Sequence, residues 1–285
     1  MQNSDFFPKN PKTSESVLSA KKELSADEIF GMIHSVETLG ALDGPGLRYV
    51  LFLQGCPFSC AYCHNPDTRE FGSGYEISVA EQFSDILRYR KYLSGGVTIS
   101  GGEPLAQPEF VTALLEKCRA NHIHGAIDTS GGMPLKESER AIRAADLMLV
   151  DIKAFDRETA RSICGVDTTR TWALLDFCEK LEKPVWIRHV LVPGKTIRVR
   201  DENNREISGR EAFLMLNPIL VAGIQRVREY SCVQKIELLP FHKLGTHKWS
   251  DLGIPFELAD IDEPAEHMIA WCESLIEWIW RGESI

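Results

Sequence analysis

The amino-acid sequence predicts an α/β protein, a partial TIM-like (β/α)6 barrel with an open parallel sheet. Six short runs rich in Val, Ile or Leu recur along the chain, each bounded by Gly, Pro or polar residues, as expected for buried parallel strands. Amphipathic helical patterns separate these runs, and strands that alternate with helices form parallel sheets with the helices outside. Six such repeats are too few for a closed eight-stranded barrel. We therefore expect the functional residues at the C-terminal strand ends of a partial one.

The predicted strands and helices alternate from the first strand to the last. The six strands are Leu47–Gln54, Gly96–Ser100, Gly125–Thr129, Leu147–Ile152, Val185–Val192 and Lys235–Phe241. The helices between them are Val79–Leu93, Pro108–Asn121, Lys136–Ala145, Thr171–Lys183 and Arg210–Arg228. The last of these helices is interrupted at Asn217-Pro218, because proline cannot continue a helix from the residue before it.

The ends of the chain differ from its middle in composition. Residues 1–25 are polar and rich in Ser, Lys and Pro, which predicts a flexible leader. Residues 26–285 are predicted to form a single domain. Within it, the segment 195–229 is unusually long for a connection between two strands, and residues 263–281 form a C-terminal helix that packs its Trp residues on the outside of the barrel.

Charge and cysteine usage exclude several classes of protein. The net charge is −9 and no long basic tract is present, so no nucleic-acid-binding surface is visible. The apolar runs are short and interrupted by charges, which predicts no membrane span. Five of the eight cysteines are scattered and are predicted to be buried free thiols. Without a secretory signal, these thiols favour the reducing cytoplasm.

The other three cysteines stand in one loop directly after the first strand. The segment Cys56-Pro-Phe-Ser-Cys60-Ala-Tyr-Cys63 places three thiolates where they can bind one inorganic centre. An iron–sulfur cluster would use all three and leave one iron open for chemistry. Zinc would need a fourth ligand, and His64 is the only nearby candidate. Cys60-Ala-Tyr-Cys63-His64 also matches the pattern of covalent haem attachment, although that interpretation leaves Cys56 unused.

Polar residues follow the other predicted strands at the points where they end. Ser100-Gly101-Gly102-Glu103-Pro104 follows the second strand, Asp128 and Thr129 end the third, Asp151-Ile152-Lys153 end the fourth, and His242 follows the sixth. Taken singly, each has an ordinary structural interpretation, such as a tight turn or a helix cap. Because the C-terminal ends of parallel strands meet at one side of a barrel, together they predict a pocket beside the cysteine loop.

These residues resemble a known family. The pattern Cys56-x3-Cys60-x2-Cys63, with Tyr62 before the last cysteine, is similar to that of the radical S-adenosylmethionine (SAM) enzymes. Further segments resemble the glycyl-radical-enzyme activases within that superfamily. They are Gly31–Ser35, Leu42–Arg48, Cys60–Asn65, Ser100–Pro104, Asp128-Thr129, Asp151–Lys153, Trp186–Arg188 and Glu237–Gly245. The resemblance runs from about Gly31 to about Trp249 and implies the radical SAM fold.

The resemblance also implies cofactors and their ligands. A [4Fe-4S] cluster would be bound by Cys56, Cys60 and Cys63, with S-adenosyl-L-methionine on the open iron. The residues implied to bind that cofactor are Tyr62, Cys63, His64, Gly102, Glu103, Asp151, Ile152, Lys153 and His242. In this family a monovalent cation can lie near the methionyl carboxylate, and its implied ligands here are Asp128, Thr129 and Asp151.

The implied reaction is the reductive cleavage of SAM to a 5′-deoxyadenosyl radical, which abstracts hydrogen from a glycine of a partner enzyme. No cysteine follows Cys63 before the helix at Val79, so the ferredoxin-like insert of many such activases is absent. Its absence favours pyruvate formate-lyase as the glycyl radical partner. The resemblance also implies a one-electron reductant such as flavodoxin or ferredoxin. Two alternatives stay open: a radical SAM enzyme that acts on a small molecule, and an iron–sulfur protein that only transfers electrons.

Overall fold

A computed structural model describes residues 25–282, and an open sheet of eight strands lies at the centre of this part of the chain. In chain order the strands are β1 (Phe30–Gly40), β2 (Arg48–Leu53), β3 (Tyr75–Ser78), β4 (Gly96–Gly101), β5 (Gly125–Thr129), β6 (Leu147–Asp151), β7 (Val185–Leu191) and β8 (Val233–Pro240). Across the sheet the order is β3-β1-β2-β4-β5-β6-β7-β8, so β3 and β8 form two separate edges. This unclosed sheet with outer helices confirms the predicted partial barrel.

The six strands from β2 to β8, leaving out β3, are the six that the sequence predicts, and every neighbouring pair among them is parallel. Their boundaries differ from the prediction by two residues at most. Side chains on both faces of these strands are buried, as the consecutive residues Leu149 and Val150 of β6 show, both with no exposed surface. Burial on both faces produces the continuous apolar runs that made these strands visible in the sequence.

Two strands were not predicted, and both are antiparallel. β1 pairs with β2 on one side and with β3 on the other, through contacts such as Val36 with Leu51 and Gly31 with Ile77. Most of β1 and β3 is only partly buried, because they extend the sheet at its edge. A half-exposed edge strand needs no continuous apolar run, and its mixed composition hides it from a search for such runs.

The helices of the described residues flank the sheet. They are α1 (Val79–Tyr89), α2 (Pro108–Ala120), α3 (Leu135–Ala144), α4 (Arg157–Cys164), α5 (Thr168–Lys180), α6 (Arg210–Leu216), α7 (Pro218–Arg228), α8 (Thr246–Asp251) and α9 (Glu266–Arg281). The sequence did not predict α4 and α8, which are short and polar. α4 begins at Asp156, whose carboxylate accepts a hydrogen bond of 2.8 Å from the backbone N–H of Thr159. This N-cap stabilises a helix of only eight residues, whose buried positions Ala160, Ile163 and Cys164 are too few to show a repeating period in the sequence.

The segment 195–229 packs mainly with the C-terminal helix, and Val227 near the end of α7 belongs to the main core. Its predicted helix is two helices, α6 and α7, which divide at the predicted Asn217-Pro218 step. The Asn217 side chain fixes this corner: it accepts from the Arg198 N–H at 2.7 Å and donates to the Phe213 carbonyl at 2.8 Å. α9 covers both helices, and the ring of its Trp271 lies 5.4 Å from that of Phe213.

Parts of the predicted domain organisation fall outside the described residues. The predicted leader, residues 1–25, is not described apart from Ser25, and the single domain over residues 26–285 stays a prediction. Within residues 25–282, no helix combines the length and the apolar character that crossing a membrane requires.

The loop between β1 and β2 is anchored by a buried cation, Arg48, which has no exposed surface. Its guanidinium donates to the carbonyls of Pro45 and Val97, at 3.1 and 2.6 Å, and to the Gly95 carbonyl. Burial lowers the pKa of Arg48 to about 10, which still leaves the side chain charged at neutral pH. Arg48 therefore joins the loop 41–47 to β4 through several charged hydrogen bonds.

We expect Arg48→Ala to lower the free energy of unfolding by about 4 kcal/mol, because it leaves several buried carbonyls without a donor. Urea unfolding followed by circular dichroism measures this loss. Arg88→Ala is the matched control, since the Arg88 side chain is 72% exposed and pairs with Asp85 on the surface. It should cost less than about 0.5 kcal/mol. Equal losses in the two variants would show that the buried hydrogen bonds do not anchor the loop.

Candidate active site

The C-terminal strand ends surround a partly open cavity of about 550 Å³. All but one of the predicted site residues lie on its wall: Cys56, Cys60, Tyr62, Cys63, His64, Gly102, Glu103, Asp128, Thr129, Asp151, Lys153 and His242. These residues come from distant parts of the sequence, and the parallel strands bring them together because their C-terminal ends share one side of the sheet.

The exception is Ile152, whose side chain is fully buried in the main core and is not on the cavity wall. Its backbone holds the end of β6 in register, with its N–H donating to the Arg188 carbonyl at 2.8 Å. Its carbonyl accepts a hydrogen bond of 2.7 Å from His189 Nδ1. Because successive side chains point to opposite faces of an extended chain, this anchoring directs Asp151 and Lys153 to the cavity.

Hydrogen bonds hold the cysteine loop in place. They come from within the loop, from the residues that follow it in the chain, and from the C-terminal segment. The N–H of Cys56 donates to the Arg69 carbonyl, and that of Cys63 donates to the Cys60 carbonyl, both at 3.1 Å. The indole of Trp249 in α8 donates to the Cys63 carbonyl at 2.9 Å. These bonds keep the backbone of the loop in one conformation while the three sulfur atoms stay on the cavity wall.

The end of α4 holds the loop from the opposite side. The N–H of Ser59 donates to the Cys164 carbonyl at 3.1 Å, and the N–H of Ala61 donates to the Ile163 carbonyl at 2.7 Å. These carbonyls belong to the last turn of α4, where a helix leaves them without internal partners. The loop therefore supplies the C-terminal cap of this helix, and the helix positions the loop.

The three thiols differ in their readiness to ionise. Burial raises the pKa of Cys56 to about 12 and also raises that of Cys63. A hydrogen bond from the Cys164 thiol lowers the pKa of Cys60 to about 7. Two of the three thiols would therefore stay protonated at neutral pH, and binding of iron must supply the free energy that removes their protons.

The donor set fits an iron–sulfur cluster better than a single metal ion. Cys56, Cys60 and Cys63 all line the cavity. A cluster would use all three as ligands and keep one iron open to the cavity, whereas zinc would need a fourth ligand beside them. Haem attachment would leave Cys56 on the wall without a role.

The turn after β4 brings the backbone very close to the cysteine loop. Gly101 has φ of +107°, and a Cβ atom at Gly102 would lie 2.3 Å from the Gly55 carbonyl oxygen. Both positions thus require glycine. The N–H of Glu103 donates to the same Gly55 carbonyl at 3.0 Å, so this turn and the start of the cysteine loop form one unit.

Glu103 is predicted to bind the methionine end of SAM, and the structure shows that its carboxylate already has partners. It is 2% exposed and accepts from Thr129 Oγ1 at 2.6 Å, Leu105 N at 3.0 Å, and Ser130 Oγ and N at 2.7 and 3.1 Å. Burial raises the pKa of Glu103, although these four donors oppose the rise. An ammonium group of SAM that binds the Glu103 carboxylate would have to share an oxygen with these donors or displace one of them.

The residues of the predicted cation site are likewise engaged with other groups. Asp128 accepts from Ser100 Oγ at 3.0 Å and from Arg188 at 3.3 Å, and burial is the main cause that raises its pKa. Thr129 donates to Glu103, and Asp151 accepts from Lys153 at 2.5 Å. Basic side chains therefore already neutralise both carboxylates, and the cation site stays a prediction.

Asp151 and Lys153 form an ion pair on the cavity wall. One oxygen of the Asp151 carboxylate, Oδ1, accepts no hydrogen bond from the described residues. Burial disfavours the charged form of Lys153, but the neighbouring Asp151 carboxylate outweighs it, so that the pKa of Lys153 lies above its ordinary value. The ammonium lies 5.7 Å from the centre of the Tyr62 ring. Among the described residues, Asp151 Oδ1 and the Tyr62 hydroxyl are buried without a hydrogen-bond partner. A buried polar atom without a hydrogen-bond partner lowers the stability of the protein unless a ligand supplies the missing hydrogen bond.

Two histidines border the cavity opening. The rings of His64 and His242 stack with their centroids 4.0 Å apart. His64 follows the last cysteine of the loop, and His242 follows β8, so this stack joins the first and last parallel strands of the barrel across the mouth. A flat aromatic pair at this place is a suitable surface for a planar ligand group.

Several wall residues were not assigned a role from the sequence. Arg188 is the most connected of them: it pairs with Asp128 and with Glu237, at 3.3 and 3.0 Å, and donates to the Leu42 carbonyl. The others are Leu42, Asp43, Phe58, Asn65, Thr68, Arg69, Ser100, Gly101, Ser130, Val190, Leu239 and Pro240. The available signal was their position near a strand end. Leu42 and Asp43 lie before the first parallel strand, and their signal was the segment Leu42–Arg48, which resembles the activases.

We expect Glu103→Gln to lower the free energy of unfolding by about 3 kcal/mol, because the amide group would face two hydrogen-bond donors in a buried site. Urea unfolding of the protein without cofactors measures the effect. Glu109→Gln is the matched control, since Glu109 is an exposed residue of α2, and it should change little. A loss below about 1 kcal/mol in Glu103→Gln would contradict the view that its four hydrogen bonds tie the strand ends together.

Comparison with known proteins identifies relatives that cover most of the chain. The Radical SAM superfamily model matches residues 50–203. A pyruvate formate-lyase-activating enzyme of Listeria monocytogenes is 35% identical over 263 residues, which are 88% of this chain and 97% of the relative. The enzyme of that name from Staphylococcus aureus (strain USA300) is 40% identical over 252 residues, 84% of this chain and 92% of the relative.

A solved structure supports the fold alone. SuiB of Streptococcus suis bound to S-adenosylmethionine aligns with a TM-score of 0.53 and 14% identity, over 81% of this chain and 46% of SuiB. The family itself follows from the sequence matches, which agree with the three-cysteine wall of the cavity. This chain belongs to the radical SAM superfamily and, within it, to the family of pyruvate formate-lyase-activating enzymes.

Proposed function

We propose that this chain activates pyruvate formate-lyase by installing a glycyl radical on it. The observation that supports this function is that Cys56, Cys60 and Cys63 all line the open cavity at the strand ends. A cluster held by these three residues would supply the electron for the reductive cleavage of SAM, the chemistry by which hydrogen would be removed from the partner glycine. The residues of the chain bind, orient and shield these groups.

The cavity wall offers a suitable environment for each part of SAM. Gly102 and Glu103, where backbone groups approach closely, would hold the methionine end. The free Oδ1 of Asp151 would accept a hydrogen bond from the cofactor, and Lys153 would be an anion-binding group beside it. Tyr62, His64 and His242 would flank the nucleoside, and the His64–His242 stack would provide a flat surface for it. Ile152 contributes through its backbone, since its side chain is in the core.

The mouth of the cavity favours a macromolecular substrate over a small one. Leu42 lies on the cavity wall, yet it is 85% exposed. We propose that the partner enzyme covers Leu42 when it docks at this mouth. The wall also offers the buried Asp151 Oδ1 as a ligand-binding atom, which a protein that only transfers electrons would not need.

Further parts of the proposal concern the surroundings of the reaction. We infer that a one-electron reductant such as flavodoxin or ferredoxin reduces the cluster, and that the protein is cytoplasmic. A monovalent cation at Asp128, Thr129 and Asp151 belongs to the proposal as well. It requires that Asp128 or Asp151 give up part of its contact with Arg188 or Lys153.

The proposed function predicts a glycyl radical on the partner. The protein is reconstituted with iron and sulfide under anaerobic conditions, reduced, and mixed with SAM and pyruvate formate-lyase. We expect an EPR signal of a glycyl radical, which disappears when the target glycine of the partner is replaced. Cys60→Ala should abolish both the signal and SAM cleavage, because the cluster loses a ligand. SAM cleavage without a radical on pyruvate formate-lyase would favour a small-molecule substrate, and no cleavage at all would favour an electron-transfer protein.

The exposed residue at the mouth allows a test of partner docking. We expect Leu42→Ala to raise the partner concentration for half-maximal radical formation about tenfold, because it removes apolar area from the contact. Met215→Ala is the control, since Met215 is 77% exposed but lies on α6 and not on the cavity wall. A similar effect of the two substitutions would speak against docking of the partner at this mouth.

A further inference from the structure

Two consecutive residues of α8 hold the chain just after the last cysteine of the loop. The indole of Trp249 donates to the Cys63 carbonyl at 2.9 Å, and the ammonium of Lys248 donates to Asn65 Oδ1 at 2.8 Å. The partners in these two bonds are 186 and 183 residues apart in the sequence. α8 therefore fastens the segment after β8 to the segment after the cysteine loop.

Asp67 is the centre of a second set of contacts at the same place. Lys248 Nζ lies 3.0 Å from Asp67 Oδ2 and 3.2 Å from Asp67 Oδ1, and His34 Nε2 donates to Oδ2 at 3.0 Å. The three side chains are partly buried, so solvent screens their attraction less than that of a pair on the open surface. We call the contacts of Asp67 with Lys248 and His34 the clasp.

The clasp connects the two ends of the open sheet. His34 lies in β1, Asp67 follows β2, and Lys248 follows β8. In the sheet of the described residues, β1 and β2 lie near one edge and β8 forms the other, so no backbone ladder joins β8 to either of them. The clasp joins them through side chains instead, and it does so beside the cysteine loop.

Both histidines of the cavity mouth lie next to the clasp in the chain. His64 follows the last cysteine of the loop, and its ring stacks on that of His242 with the centroids 4.0 Å apart. Gly245 lies between His242 and α8, and a Cβ atom there would be 2.8 Å from the His64 carbonyl oxygen. The two segments are thus in direct contact, and the position of α8 determines where His242 lies relative to His64.

We propose that the clasp prepares the cavity for SAM: the ion pair of Lys248 with Asp67 holds α8 against the loop and keeps His242 stacked on His64 before the cofactor binds. Neither Lys248 nor Asp67 lies on the cavity wall, so both are positioning residues that act through α8. A site that is correctly arranged in only a fraction of the molecules binds its ligand more weakly by that fraction. The inference rests on the proposed function, because it takes SAM as the ligand of the cavity.

The first test is the dissociation constant of SAM, measured by equilibrium dialysis with the reconstituted, oxidised full-length protein. We expect Lys248→Met to raise it about fivefold, because methionine keeps an apolar stem but cannot pair with Asp67. Lys248→Arg should retain most of the affinity, since a guanidinium can donate to both carboxylate oxygens. For SAM cleavage by the reduced protein, Lys248→Met should raise KM by a similar factor and leave kcat unchanged, because bound SAM selects the correctly arranged site.

Lys117→Met is the matched control. The Lys117 side chain is 28% exposed, against 27% for Lys248, and it pairs with Asp27 away from the cavity wall. This substitution should leave the dissociation constant of SAM unchanged. An equal loss of affinity in the two methionine variants, or an unchanged dissociation constant in Lys248→Met, would overturn the proposal.

A double-mutant cycle tests whether Lys248 acts through Asp67. We expect Asp67→Ala to weaken SAM binding about as much as Lys248→Met does, and the double variant to bind SAM no more weakly than either single variant. Losses that multiply in the double variant would contradict the proposed pairing. A lower kcat at unchanged KM in Lys248→Met would contradict it as well, since the residue would then act on the reaction and not on binding.

Hydrogen exchange provides a measurement that needs neither the cluster nor SAM nor the partner enzyme. In the cofactor-free protein, the backbone amides of α8 should exchange faster in Lys248→Met than in the wild type, because the helix separates from the loop more often. Lys117→Met should not change these rates. Equal exchange of α8 in the wild type and in Lys248→Met would show that the ion pair does not hold the helix, and would overturn the proposal.

The outcomes separate the clasp from the proposed function. Faster exchange and weaker SAM binding in Lys248→Met, together with no glycyl radical on pyruvate formate-lyase, would contradict the proposed function and support the clasp. A glycyl radical together with unchanged SAM binding in Lys248→Met would have the opposite meaning.

Discussion

The site depends on one buried carboxylate that joins the ends of neighbouring strands. Glu103 follows β4, its backbone N–H binds the Gly55 carbonyl after β2, and its side chain binds Thr129 and Ser130 at the end of β5. A buried carboxylate is stable only when its oxygens are satisfied, so the three strand ends must keep this arrangement. The cysteine loop begins at this junction. Its position relative to the rest of the cavity wall therefore follows from the hydrogen bonds of Glu103.

The cysteine loop is also held between α4 and α8, two helices that are distant from it in the sequence. α4 accepts the N–H groups of Ser59 and Ala61, and the indole of Trp249 binds the Cys63 carbonyl from the other side. A loop held only by its own residues would change its conformation when three thiols lose their protons to iron. Attachment on two sides lets the ligands stay in place, which is the support that a metal site requires from its surroundings.

The charges of the cavity wall are compensated before any ligand binds. Lys153 pairs with Asp151, and Arg188 pairs with both Asp128 and Glu237. Such pairs lose little of their attraction to solvent screening, because they are mostly buried. Fixed dipoles and charges of this kind reduce the reorganisation that accompanies a change of charge in the site. Asp151 Oδ1 is an exception, because it is buried without a hydrogen-bond partner among the described residues. It marks the position on the wall where a ligand can supply a missing hydrogen bond.

The sequence by itself determined the six parallel strands, the partial barrel, the three-cysteine loop and 12 of the 25 wall residues. Strands buried on both faces produce unbroken apolar runs, and the C-terminal ends of such strands must meet. Only the tertiary structure decided the edge strands β1 and β3, the helix α4, the burial of Ile152, and the roles of Arg48 and Arg188. Each of these depends on partners distant in the chain: β1 needs β2, Arg48 needs Gly95 and Val97, and the end of α4 needs the N–H of Ser59. Local periodicity and spacing carry no information about such pairings, because the contact exists only after the strands have assembled.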